Sequence, residues 1–159
     1  MTERIAQIAT FFAALGAGIM GGLFFIFSNT IMAAFGKLPA ANGIAAMNSI
    51  NVTILNGTFL AVFMGTALVS VALIVCWFLG WMPSRGTFAL AGSVVYLVGI
   101  IGVTMVFNVP MNDALAAVQP DSAAGASLWQ DYLSHWTMWN HVRTVAGIGA
   151  SALFILALG

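Results

Sequence analysis

Long apolar stretches, separated by short polar or proline-containing breaks, make up almost the whole chain. An α-helix rises about 1.5 Å per residue, so roughly 20 apolar residues cross the hydrocarbon core of a bilayer. Four of the stretches reach about this length, and the pattern therefore predicts four membrane-spanning helices. The apolar runs are Ile5–Phe35, Ile50–Trp81, Thr87–Phe107 and His141–Leu158.

Prolines mark the breaks between these runs, because a proline inside a helix removes a backbone donor and clashes with the preceding turn. Short breaks lie around Pro39 and Pro83, and a longer one, from Asn108 to about Ser127, contains Pro110 and Pro120. We expect this last stretch to be a loop, without a continuous helix. An amphipathic segment leads into the fourth run. The predicted helices cover about residues 5–35, 50–81, 87–107 and 128–158 of a single membrane domain, 1–159.

The composition supports an all-α integral membrane protein, a bundle of four transmembrane helices. Hydrophobic residues form 62% of the chain and charged residues only 5%, with a mean hydropathy of +1.05. Four Lys and Arg residues and a net charge of zero leave no basic patch for a nucleic acid. The single cysteine, Cys76, excludes an internal disulfide and a CxxC redox pair.

The few charges suggest an orientation in the membrane. Arg4 and Arg85 favour the cytoplasm, which would place both termini on that side, although Lys37 falls on the other. We expect a multi-pass protein of the bacterial inner membrane that contacts membrane lipids, and a homo-oligomer is compatible with the sequence.

Scarce polar residues cluster at the segment ends that this topology brings to the external face. A polar side chain in lipid costs several kcal/mol unless it is paired or used. The convergence therefore predicts a polar cavity at that face. The residues concerned are Asn51, Asn56, Asn108, Asn112, Asn140, His141 and Arg143.

The fourth segment allows two interpretations. An aromatic belt at headgroup depth would explain its tryptophans, and Arg143 would then snorkel to headgroups while His141 bonds a carbonyl. At about 100° per residue, however, Trp136, Asn140, Arg143 and Thr144 share one helix face, with His141 on its flank. This face could line one wall of the cavity.

Several motifs resemble the anthrone oxygenase-like family of four-helix membrane proteins, over nearly the whole chain. Where that family commonly has Met-Pro and Asn-Pro, this chain has Met32-Ala33 and Asn56-Gly57. The motifs are Phe27–Met32, Met47–Asn51 with Asn56 and Phe59, Asn108–Asn112 with Ala114 and Leu115, and Trp136 with Trp139–Thr144.

The resemblance implies an enzyme that oxidises an anthrone, or another aromatic or quinonoid molecule, with O₂ and without a metal or flavin cofactor. In such chemistry His141 could act as the base, while Arg143 and an amide from Asn140 or Asn108 stabilise the phenolate. The expected partner is a lipid-soluble aromatic small molecule. Expected substrate-binding residues are Asn51, Asn56, Asn108, Asn112, Trp136 and Trp139.

Two other classes remain open from the sequence. A metal- or haem-binding bundle could use Asp131 and His135, which are spaced i, i+4, together with His141. Two histidines on one segment cannot bracket a haem from opposite sides, so the set of ligands is poor. The other alternative is a non-catalytic lipid-binding or assembly subunit.

Overall fold

The computed structural model describes residues 2–159, which form helices joined by short connections and include no strand. Four of the helices are long and apolar enough to cross a membrane, and a shorter one lies between the first two of these. The predicted class, an all-α bundle with four membrane spans, is confirmed. The helices are α1 (Glu3–Phe35), α2 (Ala40–Thr53), α3 (Gly57–Phe78), α4 (Gly86–Ala117) and α5 (Ala123–Leu158).

Helices α1 and α5 form the closest helix pair of the bundle and run antiparallel. The Ser151 hydroxyl donates to the Ala14 carbonyl at 2.9 Å, whereas nearer the other end the Asn140 amide donates to the Phe24 carbonyl at 2.7 Å. The start of α1 and the end of α5 therefore lie together. The site described below lies at the opposite end of the bundle.

The second spanning helix differs from the prediction, which had it begin at Ile50. The chain instead forms α2, breaks, and begins α3 after Asn56, whose side-chain oxygen accepts from the Phe59 N–H at 3.0 Å. Asparagine is favoured at this capping position because it satisfies a backbone donor that has no partner within the helix. At the far end α3 stops at Phe78, before the predicted Trp81, and Gly80 follows with a left-handed φ of 72°.

The predicted break between Asn108 and Ser127 is present but shorter than predicted, because only residues 118–122 are non-helical. Helix α4 continues through Pro110 to Ala117, and π-helical turns, Leu97–Gly102 and Thr104–Asn108, come just before the proline. These wider turns change the positions of the carbonyls that a proline ring would otherwise meet.

The connection after α4 is correspondingly short. Helix α5 begins at Ala123 rather than near residue 128, because the Ser122 hydroxyl caps it by accepting from the Gly125 N–H at 2.9 Å.

Candidate functional site

A cavity of about 730 Å³ lies at the end of the bundle away from the described chain ends. All five helices contribute to it, and its wall is mostly apolar and aromatic. This volume and lining are typical of sites for small organic molecules. The aromatic wall consists of Phe24, Phe27, Phe59, Phe63 and Trp136.

Arg143 supplies the cavity with a buried positive charge. Its side chain is only 5% exposed, and its guanidinium donates to the Asn140 side-chain oxygen at 2.6 Å and to the Thr104 hydroxyl at 3.3 Å. The guanidinium carbon lies 4.3 Å from the Phe24 ring centroid and 5.1 Å from that of Trp136. Aromatic rings attract a cation at such distances.

No carboxylate in residues 2–159 forms an ion pair with Arg143. Its Nε is enclosed and has no hydrogen-bond partner among them. Asp113 is the other charged residue that lines the cavity, and its side chain is exposed. A buried cation without a counter-ion is costly, so the inner part of the cavity favours an anionic ligand.

Asn140, which we expected to contact the substrate, holds Arg143 instead. It is fully buried and does not line the cavity. Its amide nitrogen donates to the Phe24 carbonyl at 2.7 Å and to the Ser28 hydroxyl at 2.6 Å, and its oxygen accepts from Arg143. These contacts use both the nitrogen and the oxygen of the amide. Asn140 therefore joins α1 to α5 and fixes the guanidinium.

Asn112 lines the cavity at the centre of a second cluster. Its side-chain oxygen accepts from the Tyr132 hydroxyl at 2.7 Å and from the Trp136 indole N–H at 2.9 Å. The rings of Tyr132 and Trp136 stack with centroids 5.8 Å apart, and Trp129 stacks on Tyr132 at 5.6 Å. The aromatic residues of α5 are thus interior packing at this point rather than a lipid-facing belt.

Helix α2 adds Asn48 and Asn51 to the cavity lining. Asn48 donates to the Leu115 carbonyl at 3.3 Å and so ties α2 to α4, while the Asn48 oxygen and the Asn51 nitrogen have no partner among the described residues. Asn48 was not predicted as a site residue. Its spacing of three from Asn51 is the signal that could have revealed it, since such residues share a helix face.

Besides Asn140, four predicted site residues do not line the cavity. His141 is exposed on the outer side of α5, and Asn56 caps α3. Asn108 is buried and donates to the Trp136 carbonyl at 3.4 Å, whereas Trp139 stacks on Phe107 with centroids 3.5 Å apart. Of the predicted residues, the cavity brings together Asn51, Asn112, Trp136 and Arg143.

The alternative metal ligands do not converge. Asp131, His135 and His141 are all exposed, and the His135 Nδ1 lies 3.0 Å from the backbone oxygen of Asp131. Within the described chain, no three His, Cys, Asp or Glu side chains are grouped closely enough to hold a metal ion.

The rim of the cavity includes exposed apolar residues near the end of α2, in the connection from α2 to α3, in the first half of α3 and in the π-helical part of α4. The mouth therefore opens between these helices through an apolar surface. These residues, with their exposed fractions, are Val52 (75%), Leu55 (63%), Met64 (46%) and Met105 (61%).

Comparison with known proteins gives a family but no individual relative. No curated protein and no solved structure matches the chain. The sequence profile of the family described as anthrone oxygenase matches residues 58–153, which is more than half of the chain and includes most of α3, all of α4 and most of α5. The chain therefore belongs to the anthrone oxygenase family.

Proposed function

We propose that this protein is a membrane oxygenase that oxidises an anthrone-type aromatic ketone with O₂ in the cavity. The proposal rests mainly on Arg143, whose buried guanidinium lines an aromatic cavity and has no carboxylate partner among the described residues. An anthrone loses a proton from its methylene carbon to give an anion whose charge rests largely on the ketone oxygen. A preorganised cation next to that oxygen stabilises the anion.

The proposed reaction balances without a resident cofactor. The anthrone methylene gives up a proton, which passes to water at the exposed end of the cavity near Asp113. The carbanion transfers one electron to O₂, and the resulting radical and superoxide combine and take up a proton to form a hydroperoxide. Loss of the remaining C–H proton and of hydroxide from the O–O bond gives the quinone and water. Anthrone and O₂ thus yield anthraquinone and H₂O.

Access from the bilayer suits such a substrate. The apolar rim residues, such as Val52 and Met105, belong to helices that span or adjoin the span, where exposed apolar side chains meet lipid. A flat, lipid-soluble molecule could then pass between α3 and α4 without crossing water. Trp136 and the phenylalanines of the wall would stack on its rings.

Oxygen uptake by the purified protein in lipid nanodiscs tests the proposal. With an anthrone as substrate, we expect O₂ consumption and quinone formation in a one-to-one ratio, well above the rate in empty nanodiscs. Quinone absorbance and an oxygen electrode measure the two quantities. Tight binding of the anthrone without O₂ consumption would contradict the proposal and favour a non-catalytic lipid- or aromatic-binding subunit.

His141→Ala is expected to leave kcat/KM within about twofold of the wild type. The imidazole is exposed on the outer side of α5, so it cannot reach a ligand bound next to Arg143. The same oxygen-uptake assay measures the effect, with His135→Ala as a control on the same helix. A large loss of kcat with an unchanged melting temperature would return His141 to the role of base.

A further inference from the structure

We infer that Asn112 presents two amide N–H groups to the ligand, and that this site takes an aromatic frame bearing two oxygen acceptors. The inference rests on the proposed function and adds a specificity-determining residue to it. Arg143 would hold the oxygen that carries the negative charge, and Asn112 would donate to a neutral carbonyl or hydroxyl oxygen.

The orientation of the Asn112 amide follows from its partners. The Trp136 indole nitrogen can only donate a hydrogen bond, so the atom 2.9 Å away must be the amide oxygen. The Tyr132 hydroxyl reaches the same oxygen at 2.7 Å. The positions of nitrogen and oxygen, which are often ambiguous for asparagine, are thus fixed by chemistry.

The Asn112 nitrogen is left for a ligand. No acceptor in the described chain bonds to it, yet it is not one of the fully enclosed polar atoms. Because Asn112 lines the cavity and its nitrogen is not enclosed, we infer that the amide N–H groups are open to a ligand there. The amide and the Arg143 guanidinium flank the same indole, one at the edge of the Trp136 ring and the other over its face.

Arg143 and Asn112 both offer hydrogen-bond donors, and this defines the class of ligand that would contact the two of them. A molecule with one oxygen would satisfy Arg143 and leave the Asn112 amide unpaired in an apolar wall, and an unpaired polar group is costly. A rigid polycyclic with two separated oxygens would satisfy both. The expected preference is therefore for hydroxyaryl ketones over simple phenols of the same size.

Asn112→Asp is the test. The carboxylate keeps an oxygen for Tyr132 and Trp136 but replaces the two N–H donors with an acceptor. The probes are 1-hydroxyanthraquinone, which has three oxygens, and 1-hydroxyanthracene, which has one on the same frame. Titration of each into nanodisc-embedded protein gives the ratio of their affinities. We expect this ratio to fall at least tenfold in Asn112→Asp and to stay unchanged in Asn56→Asp, the same substitution at an exposed cap outside the cavity.

The outcomes distinguish the role of Asn112 from the proposed oxygenase activity. If the affinity ratio of the two probes is unchanged in Asn112→Asp while the wild-type protein oxidises an anthrone, the role of Asn112 is overturned and the oxygenase proposal is retained. Failure of the wild type both to bind and to oxidise any aromatic ketone would overturn the oxygenase proposal. If Asn112→Asp does not fold, Trp136→Phe removes the indole N–H that orients the amide. The ratio should then fall about threefold, and no fall would contradict the inference.

Discussion

Arg143→Met is expected to lower kcat/KM at least 100-fold. Methionine fills a similar space between Phe24 and Trp136 but supplies no charge for the substrate anion. Removal of one preorganised donor that stabilises a developing anion typically costs about 10²–10³ in rate. A hydroxyanthraquinone offers a second measurement, because its colour reports ionisation. The wild type should bind it as the coloured anion at a pH where the free compound is neutral, and Arg143→Met should abolish this shift.

The matched control is Arg85→Met, which removes the same charge from an exposed position in the loop between α3 and α4. It should keep wild-type turnover. Thermal stability should change little in Arg143→Met, since loss of a buried, unneutralised cation offsets the unpaired oxygen left on Asn140. Turnover within twofold of the wild type in folded Arg143→Met would refute the anion-binding role.

Gly147→Leu is expected to destabilise the bundle by about 3 kcal/mol, the upper part of the usual range for overpacking a well-packed interior. A Cβ atom at Gly147 would lie 2.7 Å from the Cα atom of Gly21 and 3.2 Å from the carbonyl oxygen of Ala17. Both contacts are with backbone, which cannot rotate away. Helices α1 and α5 would have to separate, and the bonds that Asn140 makes to α1 would lengthen.

Gly149→Leu provides the control, because a Cβ atom at that position meets nothing within 4 Å. Both substitutions add the same side chain to the same helix, two residues apart. Thermal unfolding in detergent, followed by circular dichroism, should show a clear fall in melting temperature for Gly147→Leu alone. Equal effects of the two variants would mean that close packing at Gly21 does not hold the helices together.

The spanning helices could be predicted because lipid demands long apolar stretches, which leave a strong signal in the sequence. The ends of these helices could not be predicted in the same way. A proline such as Pro110 ordinarily ends a helix, but the π-helical turns before it let α4 continue to Ala117. No residue type predicts such turns. Asn56 gave an ambiguous signal, because a polar residue at the membrane edge serves equally as a ligand contact and as a helix cap.

The site residues could likewise be predicted where helical spacing determines their position, but not where contacts between distant helices do. Helical spacing placed Trp136, Asn140, Arg143 and Thr144 on one face, and all four are buried. His141 follows Asn140 directly and points about 100° away, which places it outside the bundle. Sequence could not show that Asn140 is occupied by α1, because its partners, the Phe24 carbonyl and Ser28, lie more than 100 positions earlier in the chain.

The apolar mouth of the cavity determines which substrate concentration governs binding. For a reactant that dissolves in the bilayer, occupancy follows its mole fraction among the lipids rather than its molarity in the buffer. Dioxygen also dissolves better in hydrocarbon than in water, so both reactants of the proposed oxidation are enriched where Leu55 and Met64 border the opening. Ligand-free vesicles added to an assay should then slow turnover by surface dilution, with the total amount of substrate unchanged.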